Sequence, residues 1–179
     1  MASVFGHALT AYALGTSFNK QLRTKKLWIL GIVCSIIPDA DVAGFKFGIA
    51  YEDFWGHRGF THSFVFALIL GILITVIFYY KTLNTKTAVF LILYFSLCTA
   101  SHGILDAMTS GGLGIAFFSP FDDTRYFFPS RPIQVSPIGA SKFFSIWGIK
   151  VLLSELIWIG IPSGIYILAM HLFKRPKSS

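Results

Sequence analysis

The chain has 179 residues, 54% of them hydrophobic and only 13% charged, with a mean hydropathy of +0.67. A soluble domain carries about 25% charged residues, so this composition excludes an ordinary soluble globule and a disordered tail. It points to one integral membrane domain over residues 1–179. The net charge of +7 would suit nucleic acid, but the basic residues fall in short runs between apolar segments. That is the pattern of membrane topology signals, so the expected partner is membrane lipid and not nucleic acid. Cys34 and Cys98 each lie in an apolar segment and read as buried free thiols, since two such cysteines make no disulfide framework. No basic stretch precedes the first apolar segment, so a cleaved signal peptide is not expected.

Five apolar segments follow in chain order: about 2–18, 27–37, 64–80, 87–108 and 146–173. A spanning helix needs about 20 apolar residues, so the second is short. It either continues past Pro38, packs under protein or ends in a polar cavity. Between the fourth and fifth segments runs a long loop, about 110–144, rich in Gly, Pro, Ser and Phe. Its turn signals and aromatic runs suggest a lid lying on the membrane surface. The expected fold class is therefore all-α: a polytopic membrane helical bundle of about five apolar helices.

If all five segments cross, the charges sort by face. One face carries Lys20, Arg23, Lys25, Lys26, Lys81, Lys86, Lys174, Arg175 and Lys177, nine of the fifteen basic residues and none of the eight acids. The positive-inside rule assigns that face to the cytoplasm. The long loop and every His/Asp cluster then fall on the extracytoplasmic side of a multi-pass cytoplasmic-membrane protein.

Those clusters are costly at a membrane boundary, which makes them functional candidates. His102 and Asp106, four apart, share one helix face; imidazole with carboxylate suits zinc, and also manganese or iron. His57-Arg58-Gly59-Phe60-Thr61-His62-Ser63 offers two histidines, an Arg fork for an anion and a helix cap at Thr61 or Ser63; the sequence leaves open which histidine is the ligand. Pro38 breaks a helix and sets Asp39 and Asp41 at its end, where a cation would compensate them. His7, inside the first segment, would more often be a core histidine and gains weight only by converging with the others. Glu155, the one acid of the fifth segment, is a candidate catalytic or orienting group that could equally pair with Arg125, Arg131 or Lys142.

Gly6-His7, Pro38-Asp39-Ala40-Asp41, His57 through Ser63, and Ser101-His102 through Asp106 to Thr109 come in the order of one family. Over nearly its whole length the chain resembles the YdjM/YbcI-like membrane-bound metal-dependent hydrolases. The stretch Tyr126-Phe127-Phe128-Pro129 through Ser136-Pro137-Ile138-Gly139 looks like a subgroup signature. That family is in turn distantly similar to zinc-dependent phospholipase C and P1-type nucleases. The resemblance implies a helical core of that kind with metal ligands at His7, at Asp39 or Asp41, at His57 or His62, and at His102 and Asp106. The soluble enzymes carry a further histidine set after the pair; here only His171 follows, on the opposite face, so one or two ions are expected.

The function expected on these grounds is metal-dependent hydrolysis of a phosphoester, in a lipid or other amphiphile, at the outer face of the membrane. Asp41 would ligate metal or act as general base, and Arg58 would neutralise phosphoryl charge. Two rivals stand beside it. One is a non-enzymatic scaffold or regulatory protein with a structural metal. The other is a small transporter, which would place its ligands near the midplane.

Overall fold

The computed structural model describes residues 1–18, 22–82 and 84–174. Lys20, Arg175 and Lys177 lie outside them. The described residues are helical, with no β-strand among them. The helices are α1 Val4–Gly15, α2 Lys25–Ile36, α3 Phe64–Tyr79, α4 Thr85–Ala107, α5 Ala140–Phe143, α6 Ile146–Glu155 and α7 Ile161–Phe173. Ser3, Thr24, Ser63, Asn84 and Ser145 each cap a helix start by accepting an amide N–H from the first turn.

Among the described residues, three continuous helices are long and apolar enough to cross a membrane: Lys25–Phe47, Thr85–Ala107 and Ile146–Phe173. This differs from the five expected. α3 has 16 residues. α1 has only 12, about 18 Å of rise, because its apolar run ends in the Gly15-Thr16-Ser17 turn. The short second segment does continue past Pro38: α2 passes directly into a 3-10 helix, Ile37–Phe47, with Pro38 in its first turn. The third span joins α6 to α7 through a π-helical turn, Leu156–Gly160.

The core lies where α1, α2, α3 and α4 meet, around Ala11, Leu27, Cys34, Ile74, Leu91, Phe95 and Cys98. Cys34 and Cys98 are free thiols, as expected. In lipid such helices associate by close packing of small residues, because lipid tails are as apolar as the core. α3 meets α4 closely at Gly71, where a Cβ would fall 2.2 Å from Ser96 Oγ and 2.9 Å from the Ile92 carbonyl oxygen. Gly71→Leu is therefore expected to cost at least the roughly 1–3 kcal/mol typical of overpacking. Unfolding in detergent measures it; a wild-type midpoint would show that α3 can move aside freely.

The bundle has two chemically distinct ends. At one, Lys174 donates to the Thr16, Ser17 and Phe18 carbonyls, and Lys26 to the Phe78 carbonyl. These bonds tie the C-terminal end of α7 to that of α1, and the start of α2 to the C-terminal end of α3. At the other end sit His7, the 3-10 segment, the 57–63 turn and the C-terminal half of α4. The long loop folds over this second end and is not a free linker. Ile115 and Ile133 are fully buried, and Phe117 stacks on Phe64 at 5.1 Å. Arg125 donates to the His57 and Tyr51 carbonyls, and Phe128 N–H to the Ala107 carbonyl.

Candidate metal centre

Pro38 carries no N–H, so the carbonyls one turn earlier lose a helical donor: Cys34 in the α register, Ser35 in the 3-10 register. Both find donors on α4. Thr99 Oγ1 donates to the Cys34 oxygen at 3.3 Å, and His102 Nδ1 donates to the Ser35 oxygen at 2.7 Å. That bond fixes the His102 ring and leaves its Nε2 as the lone-pair nitrogen. The same proline turns the chain so that Asp39 faces His102, with Asp39 Oδ1 3.2 Å from His102 Nε2.

His62 completes a triangle. Its Nε2 lies 3.1 Å from His102 Nε2 and 3.7 Å from Asp39 Oδ1. Its other nitrogen, Nδ1, faces Asp41 Oδ2 at 3.2 Å. Donors on a tetrahedral zinc, at roughly 2.0–2.1 Å from the ion, stand about 3.3–3.4 Å apart. The three measured edges bracket that value. Asp39 Oδ1 is buried and accepts no hydrogen bond, a costly state for a carboxylate oxygen that a cation would relieve. Asp106 joins the group: one donor atom from each of Asp39, His62, His102 and Asp106 lies within 4.8 Å of the others. The residues therefore fit a divalent cation, and their nitrogen–oxygen donor set suits zinc, manganese or iron.

His7 is fully buried, stacks on His102 at 3.8 Å, and reaches the group through Asp106, with Nε2 3.5 Å from Asp106 Oδ1. Neither of its ring nitrogens has a hydrogen-bond partner among the described residues. It is thus placed beside the triangle and not within it.

Asp41, His57 and His62 form a second group. Asp41 receives His57 Nδ1 at 2.7 Å, Thr61 Oγ1 at 2.7 Å and Arg58 N–H at 3.2 Å, besides His62. Of the two histidines that the sequence could not separate, His62 faces Asp39 and His102, whereas His57 faces Asp41. Burial alone would lower the His62 pKa. The Asp39 and Asp41 carboxylates outweigh it and push the value up to about 9. Burial also lowers His57, which Asp41 only partly offsets.

Arg58 departs from its expected role. It has a left-handed φ of 67° and is fully buried. Its Nε lies 3.2 Å from Asp106 Oδ2, an ion pair without hydrogen-bond geometry. Nη1 donates to the Gly111 carbonyl and Nη2 to Thr109 Oγ1, at 2.8 and 2.9 Å. All three nitrogens are turned to protein acceptors, so the guanidinium compensates Asp106 and pins the 109–111 turn instead of awaiting a phosphoryl group.

Glu155 also departs from expectation. It meets none of Arg125, Arg131 and Lys142. It accepts from the Ser3 amide and, at 2.5 Å, from Ser3 Oγ. Next to Ser3, the Ala2 amide donates to Asp106 Oδ1 at 2.6 Å. Glu155 thus ties the third span to the residues that hold Asp106. Ser3, Ala2 and the Ser35 carbonyl were invisible in the sequence, because Ala2 and Ser35 act wholly, and Ser3 partly, through backbone atoms that any residue could supply.

A family model described as YdjM inner membrane protein matches residues 1–176. The chain is also 34% identical, over 175 residues, to the inner membrane protein YbcI of Escherichia coli (strain K12), covering 98% of this chain and 99% of that protein. No solved structure matches it. With its apolar helices, these likenesses make it a multi-pass protein of the cytoplasmic membrane, and the chain belongs to the YdjM family of inner membrane proteins.

Proposed function

We propose that this protein is a membrane-embedded, metal-dependent hydrolase that cleaves a phosphoester of an amphiphile at the outer face of the cytoplasmic membrane. The observation that carries the reading is the Asp39–His62–His102 triangle with its unpartnered carboxylate oxygen. A divalent cation in such a site supplies Lewis acidity and lowers the pKa of a bound water toward about 7.

The chain's own residues do the rest. Ser35 and Asp41 hold His102 and His62 with their Nε2 atoms turned to the centre. Arg58, the Met1 ammonium and the Ala2 amide all face the buried Asp106 carboxylate. Asp41 orients rather than abstracts a proton, since its oxygens already face four donors. Asp39 is the least enclosed of the four, 10% exposed where His62, His102 and Asp106 are sealed. The outer-face assignment rests on the basic residues gathered at the opposite end of the bundle. The test is to strip metal with chelator, titrate zinc or manganese back, and follow hydrolysis of bis-p-nitrophenyl phosphate and of a bacterial lipid extract. Hydrolysis restored by metal supports the reading; stoichiometric binding with no hydrolysis of either overturns it.

One observation favours a second reading, a structural metal in a non-enzymatic scaffold: His62, His102 and Asp106 are almost wholly enclosed. Four protein ligands with no exchangeable water would mark that case, and X-ray absorption on the metal-loaded protein distinguishes the two.

Asp41→Asn tests the orienting role. It should weaken metal binding by about 10–100-fold, the usual cost of losing an outer-shell partner, with the protein still folded. Binding isotherms for zinc measure it, and unchanged affinity would remove Asp41 from the site.

A further inference from the structure

Beside the residues that hold Asp106 runs an apolar groove. One part, of about 340 Å³, is lined by Met1, Ala2, Val4, Phe5, Phe143 and Phe144. The next, of about 460 Å³, shares Phe5, Phe143 and Phe144 and continues past Gly148 and Ile149 to Leu152. Each part lies within the roughly 300–1,000 Å³ of ligand pockets, and their shared lining makes one channel. Its far end lies on α6, the outer-end half of a membrane-crossing helix whose exposed face is apolar. Its near end is the 1–3 segment, where the Ala2 amide touches Asp106. The groove therefore runs from the lipid-facing surface to the residues that cover Asp106.

We infer that this groove receives one acyl chain of a membrane phospholipid whose head group lies at the metal centre. The inference rests on the hydrolase reading for what happens to the head group, and on the groove alone for what binds. Three features fit a chain rather than a protein helix or a compact ligand. The lining is almost wholly apolar, with Ser136 and Ser145 at its margins. The lining is rich in aromatic rings, Phe5 packing on Phe143 at 6.1 Å between centroids and Phe144 beside them. The open side faces hydrocarbon, where acyl chains are the solvent. The polar end is formed by Met1 and Ala2, which lie directly against the enclosed Asp106 carboxylate.

The experiment uses the full chain in phosphatidylethanolamine vesicles doped with phosphatidylglycerol bearing a diazirine midway along one acyl chain. After irradiation and digestion, labelled residues are read by mass spectrometry. Labelling at Phe5, Phe144 and Leu152 should exceed that at the equally lipid-facing Ile77 and Leu168 by about fivefold or more, the enrichment that about 1 kcal/mol of preference gives. Val4→Trp and Leu152→Trp, which narrow the two parts of the groove, should bring it down to the Ile77 level while zinc binding is retained. Uniform labelling of the wild type, or enrichment that both variants leave intact, overturns the inference. Because the readout is binding, enriched labelling without phosphodiesterase activity would strike the hydrolase reading alone, and activity without enrichment would strike the groove alone.

Discussion

His102→Ala is expected to strip the purified protein of its metal and abolish phosphodiester hydrolysis. His102 is the pivot of the triangle: its Nε2 faces both His62 and Asp39, and Ser35 fixes its ring. Losing an outer-shell partner costs about 10–100-fold in metal affinity, and losing a ligand should cost more, enough to empty the site through purification. Asp106→Ala should do the same to metal content, because it removes the fourth donor of the group that Asp39, His62 and His102 complete. His171→Ala is the control, since His171 lies at the C-terminal end of α7, on the basic end of the bundle. Metal content measured by mass spectrometry decides the matter. Wild-type stoichiometry in both His102→Ala and Asp106→Ala would dissolve the proposed ligand set.

Arg58→Ala should be the most destabilising single change at this end of the bundle. The guanidinium and the Asp106 carboxylate are both fully buried. Removing one partner of such a pair costs about 3–5 kcal/mol, of which the Met1 ammonium, 3.6 Å from the same Asp106 oxygen, offsets a part. It also frees Thr109 and the Gly111 carbonyl, the points where the long loop leaves α4. Arg58→Lys keeps the charge but not the fork, so it should recover part of the loss. Saturating zinc should rescue Arg58→Ala more than wild type, because a cation would then compensate Asp106. Chemical unfolding in detergent, with and without zinc, checks all three statements. A loss below about 0.5 kcal/mol, the range of surface substitutions, would mean that Asp106 does not depend on Arg58.

The amino-acid sequence by itself determined that this is a helical membrane protein and which residues are candidates for its chemistry. Charged residues are too few and too segregated for anything else, and His and Asp stand out because they are expensive in an apolar chain. Asp39, His62, His102 and Asp106 could all be named as candidates, beside His7, Asp41 and His57, from their positions at segment ends. What each one does was decided only by tertiary packing. The pattern could not show α1 ending after 12 residues, nor the helix through Pro38 continuing as 3-10, because hydropathy registers apolar length and not backbone register. Nor could it separate His57 from His62, five residues apart on one turn; that choice was made by Asp41, which binds one and orients the other. Arg58 reads as an exposed anion clamp until the fold buries it against Asp106. Its charge is a property of the residue, but its partner is a property of the packing, and a buried charge takes its role from whatever lies within a few ångströms of it.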